Sequence, residues 1–118
     1  MEKEIQLQHL PIIDWELGSK LVGGKKEIAK EMIDILVKSL PIEIKAIKQL
    51  QSDKNHIKLI ACVHKLHGAV SYCGTPRLKI VVAALETNLK NNIMVSSSLL
   101  NQLDIEVNLL LDQHAQNI

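Results

Sequence analysis

The sequence predicts an all-α fold: an up-and-down antiparallel four-helix bundle with a short extra helix in front of it. Three observations predict it. Apolar residues recur at spacings of three and four through almost every segment. No stretch joins strict alternation to β-branched and aromatic enrichment, so strands are unsupported. Short punctuations at Gly23-Gly24, Ser52-Asp53, Gly74-Thr75-Pro76 and Ser96-Ser97-Ser98 leave little chain between helices, which makes sequence neighbours pack antiparallel.

The elements follow in order. After an extended lead, Leu10-Pro11-Ile12-Ile13, Asp14 is placed to cap a short helix from Trp15 to Leu21, with Ile13 available for a staple contact. A long pattern then runs from about Lys25 to Gln51, with Ile28, Met32, Ile35, Leu36, Leu40, Ile44, Ile47 and Leu50 on one side. Pro41 lacks an amide donor and clashes with the preceding turn, so a kink or a break is expected there. Ser52-Asp53 can cap a helix from about Lys54 to Cys73, whose seam Leu59, Val63, Leu66, Val70, Cys73 steps by 4-3-4-3. Gly74 suits the position just past a helix end, Thr75 an N-cap and Pro76 a first turn. The next helix carries Leu78, Val82, Leu85 and Leu89 and stops near Asn91-Asn92; the last carries Leu99, Leu103, Val107 and Leu110.

At 118 residues the chain has the length of one domain, read here as residues 1–118 with an ordered core of about 12–114. It is 47% hydrophobic and 23% charged but only 2% aromatic, so aliphatic side chains must build the core. Fourteen basic and thirteen acidic residues leave a net charge of +1, no basic field for a nucleic-acid backbone. No apolar run approaches the roughly 20 residues of a membrane span, so no membrane contact is expected. Cys62 and Cys73 lie about 16 Å apart if they share a helix, too far for a disulfide, and read as reduced thiols of a cytoplasmic protein.

The chemistry gathers on the helix after Ser52. Residues 64, 67, 68 and 71 fall on one stripe beside the apolar seam and read His64, His67, Gly68, Ser71. A mid-helix glycine costs about 1 kcal/mol relative to alanine, so Gly68 asks for a reason, and close approach by another surface is one. A neutral imidazole offers one nitrogen as a nucleophile for a phosphoryl group.

Val63-His64-Lys65-Leu66-His67-Gly68-Ala69 resembles the phosphorylation-site helix of histidine-containing phosphotransfer (HPt) domains, and Gly74, Leu78 and Leu85-Glu86 fall where that family has a glycine, an apolar face and a Leu-Glu pair. Asp14-Trp15-Glu16-Leu17, Leu40-Pro41, Tyr72, Gly74 and Pro76-Arg77 extend the resemblance, over roughly residues 12–90, to the C-terminal HPt domain of BarA-type hybrid sensor kinases. The resemblance implies a phosphorelay in which His64 accepts a phosphoryl group from a receiver-domain aspartate and passes it to a response regulator, with no kinase activity of its own. It implies Glu86 as the partner that orients His64. His67 stands where the family has lysine, a cation that helps hold phosphoryl oxygens; here its charge depends on pH. Gly68 leaves room for the receiver, with Lys65 and Ser71 beside it in the docking surface and Arg77 on its flank. No cofactor is expected in the domain itself, Mg²⁺ being carried by the receiver, and the domain is expected to be a monomer in isolation.

Two other readings compete. His64 and His67 at i and i+3 could share a metal with His56 or a cysteine, although Cys-x-x-Cys and His-Glu-x-x-His spacings are missing. A non-catalytic module could accept a partner helix around Ala61 and Ala69. Gly18-Ser19-Lys20-Leu21-Val22-Gly23-Gly24-Lys25 looks superficially like a phosphate loop, but its lysine falls one place late with no Ser or Thr after it, and it reads as an interhelix turn.

Overall fold

A computed structural model describes residues 4–116. Five helices follow one another: α1 Trp15–Leu21, α2 Lys26–Ser52, α3 His56–Val70, α4 Pro76–Lys90 and α5 Ser97–Gln116. Each long helix packs on the next and α5 closes back on α2, so α2 to α5 form an up-and-down four-helix bundle with α1 laid against α2. At 1.5 Å per residue the 27 residues of α2 span about 40 Å, which sets the longest dimension of the molecule, 39 Å.

The core is aliphatic. Leu59, Val63, Leu66 and Val70 of α3, with Cys73 beyond it, are all buried, as are Leu78, Val82, Leu85 and Leu89 of α4 and Leu99, Leu103, Val107 and Leu110 of α5. Each fully buried leucine, such as Leu40 or Leu66, contributes roughly 2 kcal/mol through removal from water. On α2 the expected stripe is out of phase in its first half. Ala29, Ile33, Leu36, Leu40, Ile44 and Ile47 face inward, whereas Ile35 is 64% exposed and Ile28 lies at the surface. Both sets satisfy helical spacing, and α1 decides between them by packing over Ala29, whose small side chain carries little hydrophobic signal. Pro41 does not divide α2, which runs through it as one helix. Buried Leu40 and Ile44 hold the chain on either side, and packing of this kind outweighs one lost backbone bond.

Asp14 caps α1 as expected, its Oδ1 accepting from Leu17 N at 2.9 Å, and Gly23 and Gly24 end it with φ of 72° and 80°. Gly18 belongs to α1, not to the turn. The α3 boundaries are tighter than expected. Asn55, not Ser52-Asp53, supplies the cap, accepting from Lys58 N at 3.3 Å, and the helix stops at Val70. Gly74 is therefore no C-terminal helix cap. It is buried, its carbonyl accepts from Asp14 N at 2.8 Å, and a Cβ there would overlap the Asp14 carbonyl oxygen and sit 2.8 Å from Gly18 N. Gly18 is the other half of this crossing, since its own Cβ would lie 3.3 Å from Gly74 N. Thr75 precedes α4 without a side-chain cap bond; Pro76 at the first turn needs no acceptor for an amide.

Packing also reaches further toward the amino terminus than residue 12. Leu7 is buried, and the Gln102 side chain on α5 clasps Ile5, accepting from its amide at 3.0 Å and donating to its carbonyl at 2.9 Å. No described helix is long and apolar enough to cross a membrane. Both cysteines are free thiols; Cys73 sits in the turn after α3, not in the helix.

Candidate functional site

Because Val63, Leu66 and Val70 commit one face of α3 to the core, residues 64, 68 and 61 must turn outward, and 67 and 71 flank the groove toward α4. His64 is the most open of these polar groups, with its side chain 70% exposed, and His67 one turn on is partly covered. Glu86 reaches the same place from α4. Its side chain is 8% exposed, and its two oxygens are taken by different rings: His64 Nδ1 lies 2.6 Å from Oε2 and His67 Nδ1 2.7 Å from Oε1. Lys90, one turn further along α4, stands 3.6 Å from Oε2.

The electrostatics assign the protons. Burial pulls the Glu86 carboxyl upward, but hydrogen bonds from His67 and His64 and the charge of Lys90 outweigh it and hold the group below its ordinary range. Glu86 is thus ionised at neutral pH and can only accept, so each Nδ1 must donate its proton. In the neutral ring of His64 the lone pair is then left on Nε2, the nitrogen directed away from Glu86. The site is a nucleophilic nitrogen in solvent, steered by a buried anion.

Gly68 is exposed, and a Cβ there would meet nothing within 4 Å, so internal packing does not require a glycine. With exposed Ala61 and Ala69 it leaves a low surface around His64. Lys65 is exposed on the opposite flank, toward α2, where its charge and that of Glu43 act on Cys62. Burial, then Glu43, push the Cys62 thiol up against the pull of Lys65; burial alone pushes Cys73 up to about 11. The Ser71 hydroxyl donates back to the His67 carbonyl at 2.7 Å.

The sequence reading placed His64 and Glu86 together, and the structure joins them. It missed that Glu86 is shared with His67, whose Nδ1 is bound inside the site, where the lysine analogy pictured an outward cation. Arg77 does not flank this surface. It makes a two-pronged ion pair with buried Glu106 on α5, both bonds 2.9 Å, and so ties α4 to α5. His114 pairs with Asp34 at 2.7 Å between α5 and α2, a structural contact. Among the described residues no group of three His, Cys, Asp or Glu side chains is arranged to hold a metal ion.

Comparison with known proteins bears on this arrangement. The model of the Hpt domain family matches residues 31–116, which include His64, His67, Gly68 and Glu86. The chain belongs to the Hpt domain family. Among curated relatives of this Hpt domain, the sensor protein GacS of Pseudomonas syringae pv. syringae is 37% identical over 93 residues, 79% of this chain. The signal transduction histidine-protein kinase BarA of Escherichia coli (strain K12) is 30% identical over 88 residues, 75% of this chain. The chain spans about a tenth of the length of these relatives, 10% in both cases. Among solved structures, the HPT domain of a sensor hybrid histidine kinase from Shewanella superposes with a TM-score of 0.80 at 26% identity, covering 89% of this chain and 92% of that one.

Proposed function

We propose that this Hpt domain is the phosphocarrier of a two-component phosphorelay, with His64 as the acceptor and donor of the phosphoryl group. One observation carries the reading: an exposed imidazole whose Nδ1–H is held by a buried, ionised carboxylate and whose Nε2 is therefore a free nucleophile. In the forward step Nε2 attacks the phosphorus of a receiver aspartyl phosphate, the N–P bond forms, and the acyl phosphate P–O bond breaks to return the aspartate as a carboxylate. The ring keeps its Nδ1 proton and gains positive charge, which Glu86 offsets at 2.6 Å. Reversal against a second receiver passes the group on.

Receiver domains, those of a parent hybrid kinase and of a response regulator, are the partners in this reading. They bring the aspartate and Mg²⁺, and the domain supplies the nucleophile and a surface kept low by Gly68, with Lys65 at its edge. The relatives named above are sensor kinases, which supports a module of this kind within a larger signalling chain. Phosphotransfer from an acetyl-phosphate-charged receiver, followed as acid-labile phosphate, tests it. The chain is expected to take up label and its His64→Gln variant to take up none; uptake by that variant equal to the parent's would refute His64 as the carrier.

A further inference from the structure

The shared carboxylate gives His67 a task that the lysine analogy does not describe. A carboxylate bound at one oxygen keeps a broad terminal torsion. Bound at both oxygens by donors one turn apart on a single helix, its plane is fixed. His67 is the more confined of the two donors: its side chain is 29% exposed against 70% for His64. The charged or titratable groups on this carboxylate are His64 and His67 from α3 and Lys90 from α4; Glu43 of α2 and Lys65 act on the other flank of α3, at Cys62.

We infer that His67 is a positioning residue for phosphotransfer, its Nδ1–H pinning Glu86 Oε1 so that Oε2 is presented to His64 Nδ1 and the nucleophilic lone pair is kept on Nε2. It acts through Glu86 and does not itself touch the phosphorus. Any short neutral donor that reaches Oε1 performs the same task. Asparagine does, because its Nδ2 occupies nearly the place of the imidazole Nδ1, whereas alanine frees Glu86 to rotate and lets His64 populate both tautomers.

The inference deepens the phosphotransfer reading and rests on it for its kinetic consequence, but its first readout does not. Ring ¹⁵N chemical shifts of His64 at a pH where the ring is neutral report the tautomer directly in the unphosphorylated protein. The parent and His67→Asn are expected to hold His64 as the Nδ1–H form, and His67→Ala to show a mixture, with urea unfolding confirming that all three are folded. Phosphotransfer is expected to fall roughly tenfold in His67→Ala, as for loss of an outer orienting partner at a metal-bound histidine, and to recover in His67→Asn. A parent-like tautomer and rate in His67→Ala would overturn the inference, as would His67→Asn behaving no better than alanine. The expected tautomer pattern with no transfer to any of the three proteins would leave His67 as the positioning residue and refute the carrier reading instead.

Discussion

Two glycines six residues apart in the sequence, Gly68 and Gly74, respond to the same substitution with opposite sign. At Gly68 an added Cβ meets nothing within 4 Å, and the residue lies inside α3. Alanine there removes the entropic penalty of a helical glycine and should stabilise the fold by about 0.5–1 kcal/mol. At Gly74 the added Cβ overlaps the Asp14 carbonyl oxygen and would have to retreat from 2.8 Å to at least 3.4 Å from Gly18 N. Neither atom is a flexible side-chain end, so α1 must lift, which also strains the bond from Asp14 N to the Gly74 carbonyl. Overpacking plus the weakened backbone bond amount to about 2–4 kcal/mol. At about 4 °C per kcal/mol for a domain of this size, Tm should rise by roughly 2–4 °C in Gly68→Ala and fall by roughly 8–16 °C in Gly74→Ala. Thermal unfolding followed by circular dichroism measures both. In the phosphotransfer reading the rate should move the other way at Gly68, since the new methyl projects one turn from His64 into the surface proposed for receiver docking. A lowered Tm in Gly68→Ala, or an unchanged one in Gly74→Ala, would refute the steric account.

Three further outcomes are expected. Glu106→Ala leaves Arg77, 15% exposed, without its two-pronged partner and should cost about 3 kcal/mol in urea unfolding, while the folded variant keeps transferring phosphate because Arg77 lies outside the site. Glu86 sits below its ordinary carboxylate range, so the stability it contributes is complete above the unfolded-state value of about 4.3 and is lost as pH falls through the lower folded-state value. Glu86→Gln should lack that part of the acid-side decline in stability against pH. Both thiols are pushed up, so at neutral pH iodoacetamide should react slowly with each, half-buried Cys62 before buried Cys73; faster labelling of Cys73 would show that the turn after α3 opens.

Much of this was legible in the sequence because the signals were local. The cap at Asp14 and the turn at Gly23-Gly24 depend on residues within one or two turns of each other and stand as read; so does the buried seam of α3 from Leu59 to Val70, while Cys73, read as its last member, is buried from the turn after the helix. The phase of α2 was not legible, because 28-32-35 and 29-33-36 are equally helical and the choice belongs to α1. Gly74 read as a helix terminator for the same reason: its true neighbour, Asp14, is sixty residues away along the chain. Glu86, Gln102 and Glu106 are polar letters that pattern reading places outside, yet each is buried against a partner from another element: two imidazoles, the backbone of Ile5, and Arg77. The pairing of His64 with Glu86 came from family resemblance. The second claim on Glu86 by His67 did not, since the usual lysine at that position suggests a free cation.

The glycine crossing between α1 and the turn after α3 also separates two ideas of what a transplantable module is. The stretch that carries the family signature begins at residue 31, inside α2. A graft starting there would bring His64 and Glu86 but leave behind Leu7, Ile13, α1 and the first turn of α2 with its buried Ala29, and so leave Gly74 shaped for a neighbour that no longer exists. Exchange of such modules between signalling proteins is therefore cleanest when the cut falls before residue 5, so that the piece moved includes its own lid as well as its own nucleophile.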